Sequence, residues 1–125
     1  MLLSQSANAP AVQTIFNQLF SPITYTFKKI IEANIFSQLN IDELAAQHNL
    51  SVSSFKREFF KNYKDTPANY IKNKRVEKAA ELLIISSQRI KEIAFQCGFN
   101  DVANFNKSFK EKYNISPSVY RQSQK

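Results

Sequence analysis

The chain has 125 residues and a net charge of +7, which allows one domain of ordinary size or two very small ones. Eleven Phe and five Tyr supply the bulk of a core, while one Gly and four Pro are too few turn residues for a sheet of tight hairpins. No run of about 18 apolar residues and no signal-peptide pattern occurs, and a single cysteine suits a reducing compartment. The composition therefore predicts a soluble, helical, cytoplasmic protein that does not contact a membrane.

The positive charge lies behind residue 50. Residues 1–50 carry two Lys against three acidic residues, whereas residues 51–125 carry 15 Lys and Arg against seven acidic residues. A basic region behind a neutral leader is typical of proteins that bind nucleic acid, although a solubilising surface has the same composition.

The first predicted elements precede the basic region. We expect residues 1–10 to be disordered, and the pattern allows a short helix from Ala11 to Phe20. Ile23 to Ile35 is predicted as the next helix, and a short helix with acidic residues in its first turn begins at Asp42.

Two stretches of the chain repeat the same pattern of a short helix, a turn and a second helix. They share about ten positions: Leu44 to Ser51, Phe55, Phe59, Tyr63, Thr66-Pro67 and Tyr70 in the first copy, and Ile93 to Asn100, Phe105, Phe109, Tyr113, Ser116-Pro117 and Tyr120 in the second. The aromatic residues recur every four positions, which predicts a buried helical stripe. The offset is 49 residues before the turn and 50 after it, which we interpret as one extra residue at the start of the second helix of the second copy. Ser51 is predicted to cap the second helix of the first copy, and either Asn100 or Asp101 is its counterpart.

A long helix is predicted between the copies. Thr66 is an N-cap with proline behind it, and no helix breaker occurs before Ser86. The predicted fold is therefore all-α, with two helix-turn-helix subdomains joined by a long linker helix. Its predicted parts are a leader or interdomain linker at 1–22, a first subdomain at 23–65, the linker helix at 66–86 and a second subdomain at 87–125.

The second copy resembles a known family. Its residues Ile93-Ala94, Gly98-Phe99, Asp101, Phe105, Lys107, Phe109-Lys110, Ser116-Pro117 and Tyr120-Arg121 are similar to the signature of the AraC/XylS family of bacterial transcription regulators. The resemblance extends from about Ile35 to Arg121 and implies two helix-turn-helix subdomains joined by a long helix. In the first copy, Asn49 stands where a turn glycine is common in the family.

The resemblance also implies partners. Double-stranded DNA comes first, and RNA polymerase is a further partner that a regulator of this type would contact. Most members carry an additional ligand-sensing or dimerising domain, so we expect this chain to be the DNA-binding part of a longer, ligand-responsive regulator that such a domain dimerises. A stand-alone member is the alternative.

Recognition helices enter the major groove with their N-terminal residues on the base edges. The exposed face of the second helix in each copy therefore predicts the base contacts, and the matching family positions carry such contacts. These residues are Ser53, Ser54, Lys56 and Arg57 in the first copy, and Val102, Ala103, Asn104, Asn106 and Lys107 in the second. Six other basic residues are predicted to contact phosphates: Lys61, Lys72, Lys74, Arg75, Lys110 and Arg121.

Other classes of function fit the residues less well. No glycine-rich phosphate loop, metal-ligand cluster or paired-carboxylate motif occurs, so neither catalysis nor a metal or cofactor is predicted. His48 and Cys97 occupy matching positions in different copies, and His48 is interpreted as a solvated or helix-end residue. A helical protein-interaction domain would leave the repeat unexplained, and RNA binding would require exposed stacking aromatics.

Overall fold

The computed structural model describes residues 22–124, with side chains from residue 26 onward. The helix expected at 11–20, the disorder expected at 1–10 and nearly all of the leader expected at 1–22 lie outside the described residues. The chain divides into two compact units, Met1–Glu32 and Ala33–Lys125. In the first unit the described part is helical, and Phe27 and Ile31 are buried there.

Seven helices and no strand make up the described residues, which confirms the all-α class. They are α1 (Pro22–Asn34), α2 (Ile41–Gln47), α3 (Val52–Tyr63), α4 (Pro67–Ile85), α5 (Ile90–Gln96), α6 (Val102–Tyr113) and α7 (Pro117–Ser123). We call α2 and α3 the first helix-turn-helix, α5 and α6 the second helix-turn-helix, and α4 the linker helix. None of the described helices is both long enough and apolar enough to cross a membrane.

Both turns have the same backbone structure. Asn49 and Gly98 lie at positive φ, +58° and +101°, as the last turn of a helix requires when it ends in a Schellman motif. In the first turn Leu50 N donates to Ala45 O at 3.0 Å, and in the second Phe99 N donates to Ala94 O at 3.0 Å. Asparagine therefore performs the role of the glycine, since its short polar side chain tolerates the left-handed conformation.

The extra residue of the second copy lies in the turn. Both second helices have 12 residues, and their N-caps are Ser51 and Asp101. Asn100 is thus inserted between the end of the turn and the N-cap, so Asp101 is the counterpart of Ser51. The helix keeps its length because the side-chain cap, rather than the turn, determines where it begins.

Two aromatic clusters hold the copies together in the same way. Phe55, Phe59, Phe105 and Phe109 are fully buried, which confirms the predicted stripes. In the first cluster the Phe59 ring stands 5.6 Å from that of Tyr70 at the start of the linker helix. In the second, the rings of Phe109 and Tyr120 are 5.2 Å apart, edge to face.

Different parts of the linker helix pack on the two copies. Its first turn, from Pro67 to Ile71, packs on the first helix-turn-helix, whereas Val76 to Leu83 belong to the core of the second. Thr66 caps the helix by accepting from Asn69 N at 3.2 Å, with Pro67 at the first helical position. The 19 residues of α4 rise about 28 Å, so the two copies sit on different stretches of one rod.

Candidate nucleic-acid interface

Each helix-turn-helix presents the N-terminal half of its second helix to solvent. Ser51 Oγ accepts from Ser54 N at 3.2 Å, and Asp101 Oδ1 accepts from Asn104 N at 2.6 Å. The buried Phe at the fourth and eighth helical positions then turns one stripe of each helix inward. The residues between these Phe form an outward face, as the 3.6-residue period requires.

The outward face of α3 is polar and basic. Ser53, Lys56 and Arg57 are exposed, and Ser54 is half-buried next to the N-cap. Arg57 Nη2 donates to Ser54 Oγ at 3.2 Å, a neutral and exposed contact that a stronger acceptor would replace. This is the side chain on this face whose planar fork matches the O6 and N7 acceptors of guanine.

The outward face of α6 is more neutral. Ala103, Asn104, Asn106 and Lys107 are exposed, and Val102 is half-buried. An asparagine amide can both donate to and accept from adenine, while Ala103 offers a methyl group. The two outward faces therefore have the same backbone structure but different side chains, which would suit them to different base pairs.

The charge on these faces is uncompensated within the described part of the chain. None of Lys56, Arg57 and Lys107 forms an ion pair with a carboxylate of residues 26–124. Lys61 and Lys110, which lie farther along α3 and α6, are exposed and equally unpaired within that range. An unpaired surface ammonium keeps its charge available to a phosphate.

The linker-helix lysines predicted to contact phosphates are partly occupied. Lys72 Nζ lies 3.5 Å from Glu111 Oε1, and Lys74 Nζ lies 3.9 Å from Glu77 Oε1, with all four side chains substantially exposed. Exposed pairs of this kind contribute little and exchange easily. Both lysines remain candidates for phosphate contacts, although, unlike Lys61 and Lys110, they would first have to break an ion pair.

The two arginines predicted to contact phosphates donate hydrogen bonds to backbone carbonyls of the fold. Arg75 Nε donates to Ile35 O at 2.5 Å and Arg75 Nη2 to Ser37 O at 2.7 Å. Arg121 donates to the carbonyls of Leu83, Ser86 and Gln88 at 2.9, 3.1 and 2.7 Å. These bonds engage two of the five guanidinium N–H groups of Arg75 and three of the five of Arg121, so both arginines have a structural role in the fold.

One exposed aromatic residue, Phe60, was not predicted to belong to the interface. Phe60 is 54% exposed on α3, one helical turn beyond Lys56. It is equivalent to Lys110 in the repeat, so aligning the two copies could have revealed an aromatic at a position that is basic in the other helix. A phenyl group there can pack on a sugar or a thymine methyl.

The other titratable side chains of interest are structural. His48 Nδ1 lies 2.8 Å from Leu44 O, so it donates to that carbonyl, and the half-buried ring packs 5.3 Å from Phe55. Burial raises the pKa of the Cys97 thiol to about 11, against the weaker opposing effects of Lys78 and Arg75. Burial, with smaller effects of Tyr120 and Glu77, also raises the pKa of Tyr113. Across the described residues, no three His, Cys, Asp or Glu are placed to hold a metal ion.

Comparison with known proteins places this geometry in a family. A family model of a helix-turn-helix domain matches residues 44–123. The transcriptional activator RhaS of Escherichia coli is 33% identical over 92 residues, which is 74% of this chain and 33% of that protein. The chain spans about a quarter to a third of the length of the curated relatives it matches.

Solved structures agree with the sequence match. The C-terminal domain of the two-component response regulator yesN from Fusobacterium nucleatum has a TM-score of 0.72 and 35% identity, covering 78% of this chain and 95% of that one. The DNA-binding domain of AdpA, in complex with a target DNA, has a TM-score of 0.71 and 26% identity, covering 82% and 91%. The fold is that of a double helix-turn-helix module. The chain belongs to the AraC-type helix-turn-helix family of transcription regulators.

Proposed function

We propose that this chain recognises a specific sequence of double-stranded DNA by inserting α3 and α6 into two successive major grooves. The observation that carries the proposal is that the same helix geometry occurs twice. Each copy has a capped 12-residue helix with a buried aromatic stripe and a neutral to basic outer face, and the two copies pack on different stretches of the linker helix. Catalysis has no part in this proposal.

The length of the linker helix supports the two-groove arrangement. The 19 residues of α4 rise about 28 Å, and major-groove faces on one side of B-DNA repeat about every 34 Å. The width of the helix-turn-helix copies adds to the rise of the rod. One chain could then span the distance that simpler regulators span with a dimer.

The two recognition helices, α3 and α6, which we call the readers, would contact different bases. On α3, Arg57 is proposed to hold guanine through O6 and N7, assisted by Lys56 and by the hydroxyls of Ser53 and Ser54. On α6, Asn106 is proposed to pair with adenine and Lys107 with guanine or phosphate, while Asn104, Val102 and Ala103 face the neighbouring bases. Phe60 joins this set as an apolar contact of the first reader.

Phosphate contacts are proposed for the lysines alone. Lys61 and Lys110 lie on the recognition helices beyond the base-reading turn, and Lys72 and Lys74 lie on the linker helix between the readers. Such contacts orient a protein on the duplex and supply affinity without sequence preference.

The relatives support transcription as the setting. RhaS is a transcriptional activator, and the AdpA domain was solved with a target DNA. A cytoplasmic location follows if the target is chromosomal DNA in a bacterium. Contact with RNA polymerase, dimerisation and response to a ligand are properties of a whole regulator and stay predictions.

The test begins with a duplex selected from a random-sequence pool by the protein itself. We expect the selected duplex to contain two half-sites about one helical turn apart, and binding to fall by roughly 10³ to 10⁵ between about 50 and 200 mM salt if six to ten phosphates are contacted. A pool that yields no enriched sequence, or a salt dependence that is flat, would contradict the proposal.

Two matched variants then separate base contacts from phosphate contacts. Arg57→Ala should weaken binding to the selected duplex by about 1 to 3 kcal/mol and change binding to random DNA little. Lys61→Ala, one turn farther along the same helix, should weaken both to a similar extent. Equal losses on both DNAs for Arg57→Ala would make Arg57 a phosphate contact.

A further inference from the structure

The two helix-turn-helix copies are connected by more than the linker helix. Residues 35–40, the segment that leads into α2, also contact the second copy: Gln38 Nε2 donates to Phe95 O on α5 at 3.3 Å. The same segment accepts both hydrogen bonds of Arg75, through Ile35 O at 2.5 Å and Ser37 O at 2.7 Å. The entry to the first helix-turn-helix is thus held beside the second.

Arg75 also touches the turn of the second helix-turn-helix. A Cβ placed on Gly98 would lie 2.7 Å from Arg75 Nε, 2.9 Å from Arg75 Cζ and 3.1 Å from Ser37 O. The guanidinium therefore lies against the bare backbone of Gly98. One side chain of α4 accordingly contacts the segment in front of the first copy by hydrogen bonds and the turn of the second by close packing.

The chemistry of Arg75 makes this contact rigid. Burial lowers the pKa of Arg75, with Cys97 acting weakly in the opposite direction, and a guanidinium nevertheless stays charged in a protein. A half-buried charge must keep its hydrogen-bond partners, and the planar fork allows them few directions. Movement of one copy about the linker helix would break these bonds.

Arg121 provides an internal comparison. It donates to Leu83 O, Ser86 O and Gln88 O, so all its partners lie at the end of α4 and the start of the second helix-turn-helix. In the repeat it is equivalent to Ile71, not to Arg75. Arg121 is therefore a guanidinium clamp of the same chemistry that does not reach the first copy.

We propose that Arg75 is a positioning residue that fixes the separation and relative orientation of α3 and α6, and that it thereby sets the half-site spacing the protein accepts. The second half of this statement rests on the proposed function; the first half does not. One base pair more or less between half-sites would move the second reader by about 3.4 Å along the duplex and about 35° around it, a mismatch that a rigid pair of readers cannot absorb.

The first experiment measures the geometry without DNA. Ser53→Cys and Ala103→Cys place spin labels at equivalent exposed positions of α3 and α6, in a chain whose buried Cys97 is replaced by Ala. Pulsed electron–electron double resonance should give one narrow distribution of distances between the two spin labels in this chain. Arg75→Ala should broaden or shift it, Arg75→Lys should do so less, and Arg121→Ala should leave it unchanged.

The same measurement can overturn the proposal. An unchanged distribution in folded Arg75→Ala or Arg75→Lys would show that the linker helix alone fixes the two readers. Equal broadening by Arg121→Ala would show that any loss of a clamp loosens the fold. If Arg75→Ala does not fold, Arg75→Lys decides, because its ammonium keeps the charge but cannot satisfy both carbonyls in the guanidinium geometry.

The second experiment uses the duplex selected from the random pool, with one base pair inserted or deleted between its half-sites. The unaltered protein should lose about tenfold or more in affinity for each change, comparable to a mismatched base pair. Arg75→Lys should bind the original duplex more weakly and distinguish the spacings less. A spacing preference as sharp as that of the unaltered protein would refute the role in spacing. Failure to select any duplex would refute the proposed function, while the label distances would still test Arg75.

Discussion

Replacing Gly98 by alanine should destabilise the protein far more than the same change at Asn49, although the two residues occupy the same place in the repeat. Gly98 has φ of +101° and Asn49 has φ of +58°, so alanine at residue 98 needs the less accessible backbone. A left-handed conformation costs an L-residue about 1 to 2 kcal/mol. Asn49→Ala loses only the preference of asparagine for that region, about 1 kcal/mol.

The surroundings of Gly98 add a second cost. The new Cβ would stand 2.7 Å from Arg75 Nε and 3.1 Å from Ser37 O, so the guanidinium must move off its carbonyls. Hydrogen bonds of a charged group are each worth about 1.5 to 3 kcal/mol, so losing part of this pair adds a cost of that order. Gly98→Ala should therefore lower the free energy of unfolding by about 2.5 to 5 kcal/mol in total.

Urea unfolding followed by circular dichroism measures both variants, and a double-mutant cycle with Arg75→Ala isolates the second cost. In the Arg75→Ala background, Gly98→Ala should cost only its backbone share of about 1 to 2 kcal/mol. If the losses in free energy of unfolding caused by the two substitutions were additive within about 0.5 kcal/mol, the contact with Arg75 would not be the reason that residue 98 must be glycine. If Asn49→Ala cost as much as Gly98→Ala, neither the larger φ of Gly98 nor its contact with Arg75 would distinguish the second turn from the first.

Three further predictions concern the core, a cap and a thiol. Phe109→Ala should lower the free energy of unfolding by about 3 to 5 kcal/mol in urea titrations, since the ring is fully buried, whereas the control Val119→Ala, at a residue 50% exposed, should change it by less than about 0.5 kcal/mol. Asp101→Ala removes the 2.6 Å cap of α6 and should cost about 0.5 to 2 kcal/mol, most of which Asp101→Ser should restore; a neutral Asp101→Ala would show that the cap is dispensable. Burial raises the pKa of Cys97 in the folded protein to about 11, against 9.0 for a free thiol. The contribution of the neutral thiol to the free energy of unfolding is therefore fully present below pH 9 and is lost between pH 9 and about 11. Cys97→Ala should remove that part of the pH dependence, and an identical pH profile in Cys97→Ala would contradict the burial of the thiol.

The helices and their ends were predictable because their causes are local. Thr66-Pro67 begins the linker helix, and Ser51 caps α3 through an amide only three residues away. The buried stripe of α6 is visible as Phe105, Phe109 and Tyr113, four residues apart. Each of these signals comes from residues at most eight positions apart, so both partners of each interaction can be found in a short stretch of the sequence.

The exact position of the inserted residue was less accessible. The repeat offset shows that the second copy is one residue longer, but Asn100 and Asp101 are both good N-caps by type. The choice depends on which side chain meets the free amides of α6. Asp101 does, because Asn100 is taken up by the connection from the turn.

The roles of the two arginines were decided by tertiary structure alone. The carbonyl partners of Arg75 lie 40 and 38 residues away in the chain, and those of Arg121 lie 38, 35 and 33 residues away. A guanidinium binds a phosphate oxygen and a backbone carbonyl through the same donors, so residue type cannot distinguish a DNA contact from a clamp of the fold. The sequence by itself determined the helices, the repeat and the basic outer faces, since these follow from neighbours along the chain. Which of the basic side chains also hold the fold together was decided only when folding brought distant carbonyls within reach of two of them.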